Sequence, residues 1–264
     1  MARFCPLFSG SSGNSYYIGS ATSGILIDAG RTAKQLTNML ELCGIDKSAV
    51  KAIFVTHEHS DHVKGLRVFA SRCHIPVYSS RGTLAALEHM GCLDGKFPVD
   101  VIDEKGIECA DMLIKPFRTS HDSAESVGYR IRLHDDRSLA FSTDLGFMSD
   151  SVRGELAGAD FVVLESNHDV GMLKNGFYPY HLKQRILSDV GHLSNVACAE
   201  ELCGLVQKGT TRIILAHLSS ENNTPELAYQ TALCALSLAG MKQELDYQLS
   251  VAPKENLAGK VMIF

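Results

Sequence analysis

The string Thr56-His57-Glu58-His59-Ser60-Asp61-His62 places four metal-ligand side chains, His57, His59, Asp61 and His62, within seven residues. Imidazole suits zinc, iron, manganese and other first-row ions, and a carboxylate helps hold the more oxophilic ones. His57 and His59 are two apart, so on an extended chain they project to the same side. Asp61 and His62 follow where that strand must end, and offer a carboxylate and a third imidazole. Three more ligand types close other apolar runs: His121, Asp144 and His217. The expected partition gives one cation His57, His59 and His121, and a second cation Asp61, His62 and His217. Asp144 and a water are expected to bridge them. Two divalent ions about 3.5–4 Å apart lower the pKa of such a water and brace a developing anion, which is the chemistry of metal-assisted hydrolysis.

The elements that must position these residues follow from the hydrophobic pattern. Ala52-Ile53-Phe54-Val55 is a short β-branched and aromatic run, hence a buried strand running into His57. Residues 3–30 read as two or three short strands. A helix follows with Ala33, Leu36, Met39, Leu40 and Cys43 on one face and Gly44 as its stop. Helices are expected at about 62–72 and 81–90, with strands at Pro76–Tyr78 and Val99–Ile102. Val127, Tyr129, Ile131 and Leu133 alternate with polar residues as a half-buried strand, and Leu139–Thr143 runs into Asp144. Phe161–Leu164 ends at Glu165, and a loop at 171–180 leads to helices at about 181–189 and 195–207, the second capped by Ser194. Arg212–Ala216 ends at His217, Pro225 opens a helix to 239, and strands at 245–251 and 259–263 close the chain. Lys51–His57 and Thr211–His217 share one plan of polar start, apolar strand, small residue and histidine. Two β-rich halves of this kind suggest two sheets face to face with helices outside.

With 264 residues, 45% hydrophobic and 21% charged, the composition is that of a globular protein of one large domain or two small ones. No apolar run approaches the roughly 20 residues that span a bilayer, and no membrane partner is expected. The stretch Met1-Ala2-Arg3-Phe4-Cys5-Pro6 lacks a signal-peptide core, which points to the cytoplasm. Eight cysteines are scattered singly without a C-x-x-C pair, as suits reduced thiols rather than a disulfide framework. The net charge of −5 excludes a broad, non-specific grip on nucleic acid, but not a local basic rim. Lys64, Arg67, Arg72 and Arg81 are the candidates for that rim.

The H-x-H-x-D-H string, followed in order by His121, Asp144 and His217, resembles the metallo-β-lactamase superfamily over essentially the whole chain. The resemblance implies an α/β (α+β) fold, a four-layer αβ/βα sandwich of two mixed sheets with helices outside, as one domain over 1–264. It also implies two divalent metal ions, zinc, manganese or iron. Asp28 matches the family's early aspartate, a support for the ligand loop. Asp144 stands where dizinc β-lactamases carry a cysteine, which disfavours antibiotic hydrolysis. Ser9–Ser15, Ser142–Gly146, Glu165–Asp169 and Gly191–Asn195 are similar to the YycJ-like branch, related to ribonuclease Z, whose members are regarded as 5′ exonucleases on DNA. No long insertion marks the β-CASP domain of larger nucleases.

Around the ligands stand residues of other types. His192 is expected to contact phosphate or protonate the leaving oxygen, as its counterpart does in relatives. The turn holding Ser11, Ser12 and Asn14 is a candidate anion nest beside the metals. Asn167, His168 and Asn195 are expected to border the site. Asp122 and Glu165 are expected to orient ligand imidazoles from behind. The expected activity is that of a dimetal phosphodiesterase, a nuclease acting on DNA rather than RNA, with Asp61 both ligand and catalytic residue. A thioester or lactone hydrolase of the same fold is the alternative, ahead of a non-catalytic metal-binding module. Oligomeric state is left open by the residues.

Overall fold

The apolar runs become strands wherever β-branched and aromatic residues dominate them. The computed structural model of the chain describes residues 2–264; Met1, at the head of the N-terminal stretch, lies outside them. Among the described residues the strands form two seven-stranded mixed sheets with helices, the α/β class expected. The chain divides into two compact units. One takes the chain up to Pro116 together with Ser123–Val127 and Pro253–Phe264, and the other takes Phe117–Asp122 and Gly128–Ala252.

In the first unit β1 (Arg3–Phe8), β2 (Ser15–Gly19) and β3 (Gly24–Ile27) form an antiparallel meander. From β3 the sheet continues in parallel through β4 (Val50–Phe54), β5 (Val77–Ser79) and β6 (Val99–Val101). The crossovers are helical: α1 (Ala33–Leu42), α2 (Ser60–Val63), α3 (Leu66–Cys73) and α4 (Arg81–His89). Thr32 and Gln35 cap α1 reciprocally, and Ala33, Leu36, Met39 and Leu40 are its buried face. The single helix expected at 62–72 is in fact two. At the break, the Gly65 N–H donates to the Ala29 carbonyl at 2.8 Å, and a Cβ on Gly65 would fall 2.0 Å from the Arg31 carbonyl oxygen. The helix opens where the chain must touch the turn after β3.

The second sheet begins with a hairpin of β7 (Ile107–Cys109), a strand the sequence did not announce, and β8 (Met112–Arg118). β9 (Val127–Leu133) and β10 (Ser138–Ser142) pair antiparallel around a turn with Asp136 in left-handed backbone. Parallel pairing then carries the sheet through β11 (Phe161–Glu165), β12 (Arg212–Ala216) and β13 (Gln248–Val251). Every residue of β10 and β11 is buried, the continuous apolar run typical of strands covered on both faces. The segment read as a loop at 171–180 contains a short helix. After α5 (Asp150–Leu156), Asp169 accepts from the Met172 N–H at 2.7 Å and opens α6 (Val170–Asn175). Then come α7 (Tyr180–Ile186), α8 (Asn195–Gln207) with the expected Ser194 cap, and α9 (Pro225–Leu238) with Thr224 as cap. β14 (Met262–Ile263) returns to pair antiparallel with β1.

Candidate metal centre

β4 stops at Phe54, earlier than the histidines need for a strand to align them. His57 and His59 lie instead on the segment after it, with His59 in extended backbone as the residue before α2. Their rings still meet, with centroids 4.6 Å apart, and the rings of His57 and His62 are 4.1 Å apart. Both His57 and His62 are fully buried. Buried imidazoles need their outer nitrogens satisfied, and Asp28 does this. One of its carboxylate oxygens accepts the Thr56 N–H at 2.8 Å, and the other accepts the Thr56 hydroxyl at 2.9 Å and stands 2.7 Å from His62 Nδ1. With its proton given to Asp28, Thr56 Oγ1 becomes the acceptor for His57 Nδ1, 3.0 Å away. Both rings thus carry their proton on Nδ1 and keep the lone pair on Nε2, the form a cation binds. Burial pushes the Asp28 carboxyl up, and His62 and Thr56 oppose that shift.

The loop's backbone is held as firmly as its side chains. Asn14 and Ala29 donate their N–H groups to the carbonyls of Asp61 and His62, each at 2.7 Å. A Cβ on Gly30 would fall 1.7 Å from the Asp61 carbonyl oxygen, so only glycine lets these segments approach. The Asn14 amide, fully buried, stands 3.3 Å from Asp61 Oδ2 and 3.1 Å from His62 Nε2. Asn14 therefore braces the ligand loop. Of the other turn residues, Ser11 is exposed and Ser12 accepts a hydrogen bond from Arg31 at 3.0 Å.

The second unit repeats the arrangement with different parts. Glu165, fully buried at the end of β11, faces four donors. Its Oε1 lies 2.9 Å from His192 Nδ1 and 2.8 Å from His217 Nδ1, while Oε2 accepts the N–H groups of Leu145 at 3.1 Å and Leu193 at 3.0 Å. Burial works against this carboxylate, but the two imidazoles hold its pKa well below the ordinary range. His121 Nδ1 lies 3.0 Å from the Gly191 carbonyl oxygen. Asp144 Oδ1 is 3.4 Å from His217 Nδ1 and 3.8 Å from His121 Nε2. Ligand atoms of Asp144, Glu165, His192 and His217 all lie within 4.8 Å of one another. Asp28, Asp144 and His217 have φ of 61°, 58° and 56°. Each stands at or just beyond a strand end, in a left-handed conformation that L-residues rarely adopt.

Other expectations meet a different geometry. Asp122 lies on the Nε2 side of His121, 3.4 Å away, and forms a bidentate pair with Arg185; the residue behind the ring is Gly191. Asn167 donates to the His217 carbonyl at 2.8 Å. Asn195 is buried in a polar knot, accepting from Ser166 Oγ at 2.7 Å and exchanging amide contacts with Asn223. His168 is buried, and burial pushes its imidazole down to about 4. These three sit within the protein fabric rather than on an open rim. Thr56, Asn223 and the Gly191 carbonyl were not singled out from the sequence. Thr56 alone left a trace, as the small residue closing the strand before His57.

The donor chemistry of each unit, taken by itself, fits divalent cations. In the first unit His57 and His62 have Nδ1 held by the protein and Asp61 adds a carboxylate beside His62; in the second His121 and His217 have Nδ1 held and Asp144 adds a carboxylate beside His217.

The chain is similar to known proteins. The family model described as the beta-lactamase superfamily domain matches residues 24–218. Exodeoxyribonuclease YycJ of Bacillus anthracis is 42% identical over 229 residues, 86% of each chain. Exodeoxyribonuclease WalJ of Streptococcus pneumoniae is 37% identical over 250 residues, 94% of this chain and 93% of the relative. The crystal structure of YhfI, a metallo-β-lactamase fold protein from Bacillus subtilis, superposes with a TM-score of 0.73 at 17% identity, covering 100% of both chains.

Proposed function

Because this chain belongs to the beta-lactamase superfamily and, within it, to the branch of the YycJ and WalJ exodeoxyribonucleases, we propose that it is a metal-dependent phosphodiesterase that removes nucleotides from the 5′ end of DNA. The observation that carries this reading is the common tautomer. Four ligand-type imidazoles have Nδ1 within hydrogen-bond distance of Thr56, Asp28, Gly191 and Glu165, contacts that favour the proton on Nδ1 and ligation through Nε2.

The donors proposed to hold two divalent ions, zinc, manganese or iron, are His57, His59, Asp61, His62, His121, Asp144 and His217. When bound, such ions supply an activated water and neutralise charge on the phosphoryl oxygens. The chain's own groups do the rest. Glu165 Oε1 lies 2.9 Å from His192 Nδ1 and orients the ring that is proposed to pass a proton to the departing oxygen. The same carboxylate sets the tautomer of His217, so one buried group serves both ligation and proton transfer. Asn14 and Asp28 keep the 57–62 loop in register. No helix among the described residues is long and apolar enough to cross a membrane, and the eight free cysteines support a reducing compartment, the cytoplasm.

The test is digestion of end-labelled DNA and RNA, with and without a 5′-phosphate, by protein of measured metal content, beside a thioester reporter. Shortening of DNA from the 5′ end is expected. Thioester turnover with the nucleic acids left intact would replace the proposal with a carbon–sulfur hydrolase.

A further inference from the structure

Arg31 stands in the first unit directly after Gly30, and the ligand set leaves its charge unused. A free arginine side chain has much rotamer entropy, so a guanidinium held from several sides has been ordered at a cost. This one is held from four. Its Nη2 donates to Ser12 Oγ at 3.0 Å and to Glu255 Oε1 at 2.7 Å, and its guanidinium carbon lies 5.3 Å from the centre of the Phe8 ring. Its stem lies against Gly13, where a Cβ would fall 2.6 Å from Arg31 Cδ and where φ is 153°. Only glycine leaves the arginine that space.

The same turn reaches the metal loop. Gly30 donates its N–H to the Asn14 carbonyl at 2.8 Å, and the Asn14 amide is the group beside Asp61 Oδ2 and His62 Nε2. Arg31 is thus one residue from the strap that holds two of the proposed metal donors. Ser11 and Ser12 are the middle residues of a turn that the Gly13 N–H closes on the Gly10 carbonyl at 2.9 Å. Among the described residues no acceptor meets their backbone N–H groups or the Ser12 hydroxyl proton; Ser11 is exposed and Ser12 half-buried. Arg31 uses only Nη2 for its contacts, so the N–H bonds of Nη1 are unspent, and its side chain is 14% exposed. Lys254, also exposed, adjoins the turn, its carbonyl accepting the Ser9 N–H at 3.4 Å. A fixed guanidinium beside backbone and hydroxyl donors matches a phosphate. The Glu255 carboxylate, 39% exposed, occupies the guanidinium in the free protein, and an ion pair that open to water is easily exchanged.

We infer that Arg31, with the donors of the Ser11–Ser12 turn, binds a phosphate of the DNA near the bond that is cut, and that Glu255 holds the guanidinium until DNA displaces it. The inference rests on the phosphodiesterase reading and adds to it the group that seats the DNA backbone. Phosphate and Glu255 compete for one cation, so removing Arg31 and removing the charge of Glu255 change DNA affinity in opposite directions.

Binding is read on metal-free protein, so that nothing is cut, as the fluorescence anisotropy of a DNA hairpin labelled in its loop, over a range of salt concentrations. Arg31→Gln should weaken binding about tenfold and lower the slope of log affinity against log salt by about 0.9, the share of one phosphate contact. Glu255→Gln should tighten binding about threefold, since it removes the competing charge. Arg137→Gln takes the same charge from the β9–β10 turn and should bind as the parent does. Arg31→Lys keeps the charge and should keep the parental salt slope. A hairpin with a 5′-hydroxyl identifies the phosphate: a loss in R31Q confined to the 5′-phosphorylated hairpin assigns the terminal phosphate, and an equal loss on both assigns an internal one. Parental affinity in R31Q, equal weakening in R31Q and R137Q, or weaker binding in E255Q overturns the inference. So does an R31K slope as low as that of R31Q, which would mean that the fold and not a phosphate contact had been lost, or a parent that binds neither hairpin at low salt. Failure of the phosphodiesterase reading looks different: the metal-loaded parent would then leave DNA and bis(p-nitrophenyl) phosphate uncut, whatever the binding curves show.

Discussion

Replacing Glu165 by glutamine changes one atom of a fully buried side chain and forces a choice between two losses. The carboxylate divides its work: Oε1 faces the two imidazole Nδ1 atoms, and Oε2 faces the N–H groups of Leu145 and Leu193. An amide has one acceptor end and one donor end. If its oxygen stays with the backbone, the NH₂ faces both imidazoles, which must move their protons to Nε2. His217 then presents a proton where a cation needs a lone pair, and metal affinity should fall about 10- to 100-fold, the usual cost of losing an outer partner of a ligand. If the amide flips, two buried N–H donors face the NH₂, at about 1–3 kcal/mol each. E165Q should therefore lose metal affinity, or about 2–6 kcal/mol of stability. Chelator competition followed by metal analysis reads the first, and urea unfolding of the metal-free protein reads the second. A variant with parental metal affinity and parental stability would refute the view that this one carboxylate sets both rings.

Three further outcomes are expected. His192→Gln should keep its metal, by elemental analysis, and lose about 10²- to 10⁴-fold in turnover; a fully active variant would remove His192 from proton transfer. Gly30→Ala sets a Cβ 1.7 Å from the Asp61 carbonyl oxygen and should cost about 1–3 kcal/mol or more in urea unfolding, with loss of metal from the displaced 61–62 loop. His168, lowered to about 4 from 6.5 by burial, is neutral when folded, whereas the unfolded chain takes up the proton at the higher value. Between these two pH values the unfolded state binds more protons, so stability rises with pH and is lost on acidification, by up to about 3 kcal/mol. His168→Asn should flatten that part of the stability profile.

The local arrangement of this chain was legible in its residues. Ile53 and Phe54 could only be a buried strand, Ser194 could only cap the helix beginning at Asn195, and the types at 57, 59, 61, 62, 121, 144 and 217 identify metal chemistry because few other uses gather them. The helix break at Gly65, the short α6 and the β7 strand were not legible. Each depends on a neighbour brought from elsewhere, as when the turn after β3 presses on Gly65. The same division runs through the candidate site. Spacing identified His57 and His62, but that Thr56 relays between Asp28 and His57 is a matter of contacts across 28 residues of chain. Asp122, Asn167 and Asn195 carry the right groups, yet folding directs them to Arg185, to the His217 carbonyl and to Asn223. The types of the ligands belong to the sequence, because a side chain's donor atoms are intrinsic to it. Which nitrogen bears the proton belongs to the tertiary structure, because a buried polar group takes whatever partner the packing supplies.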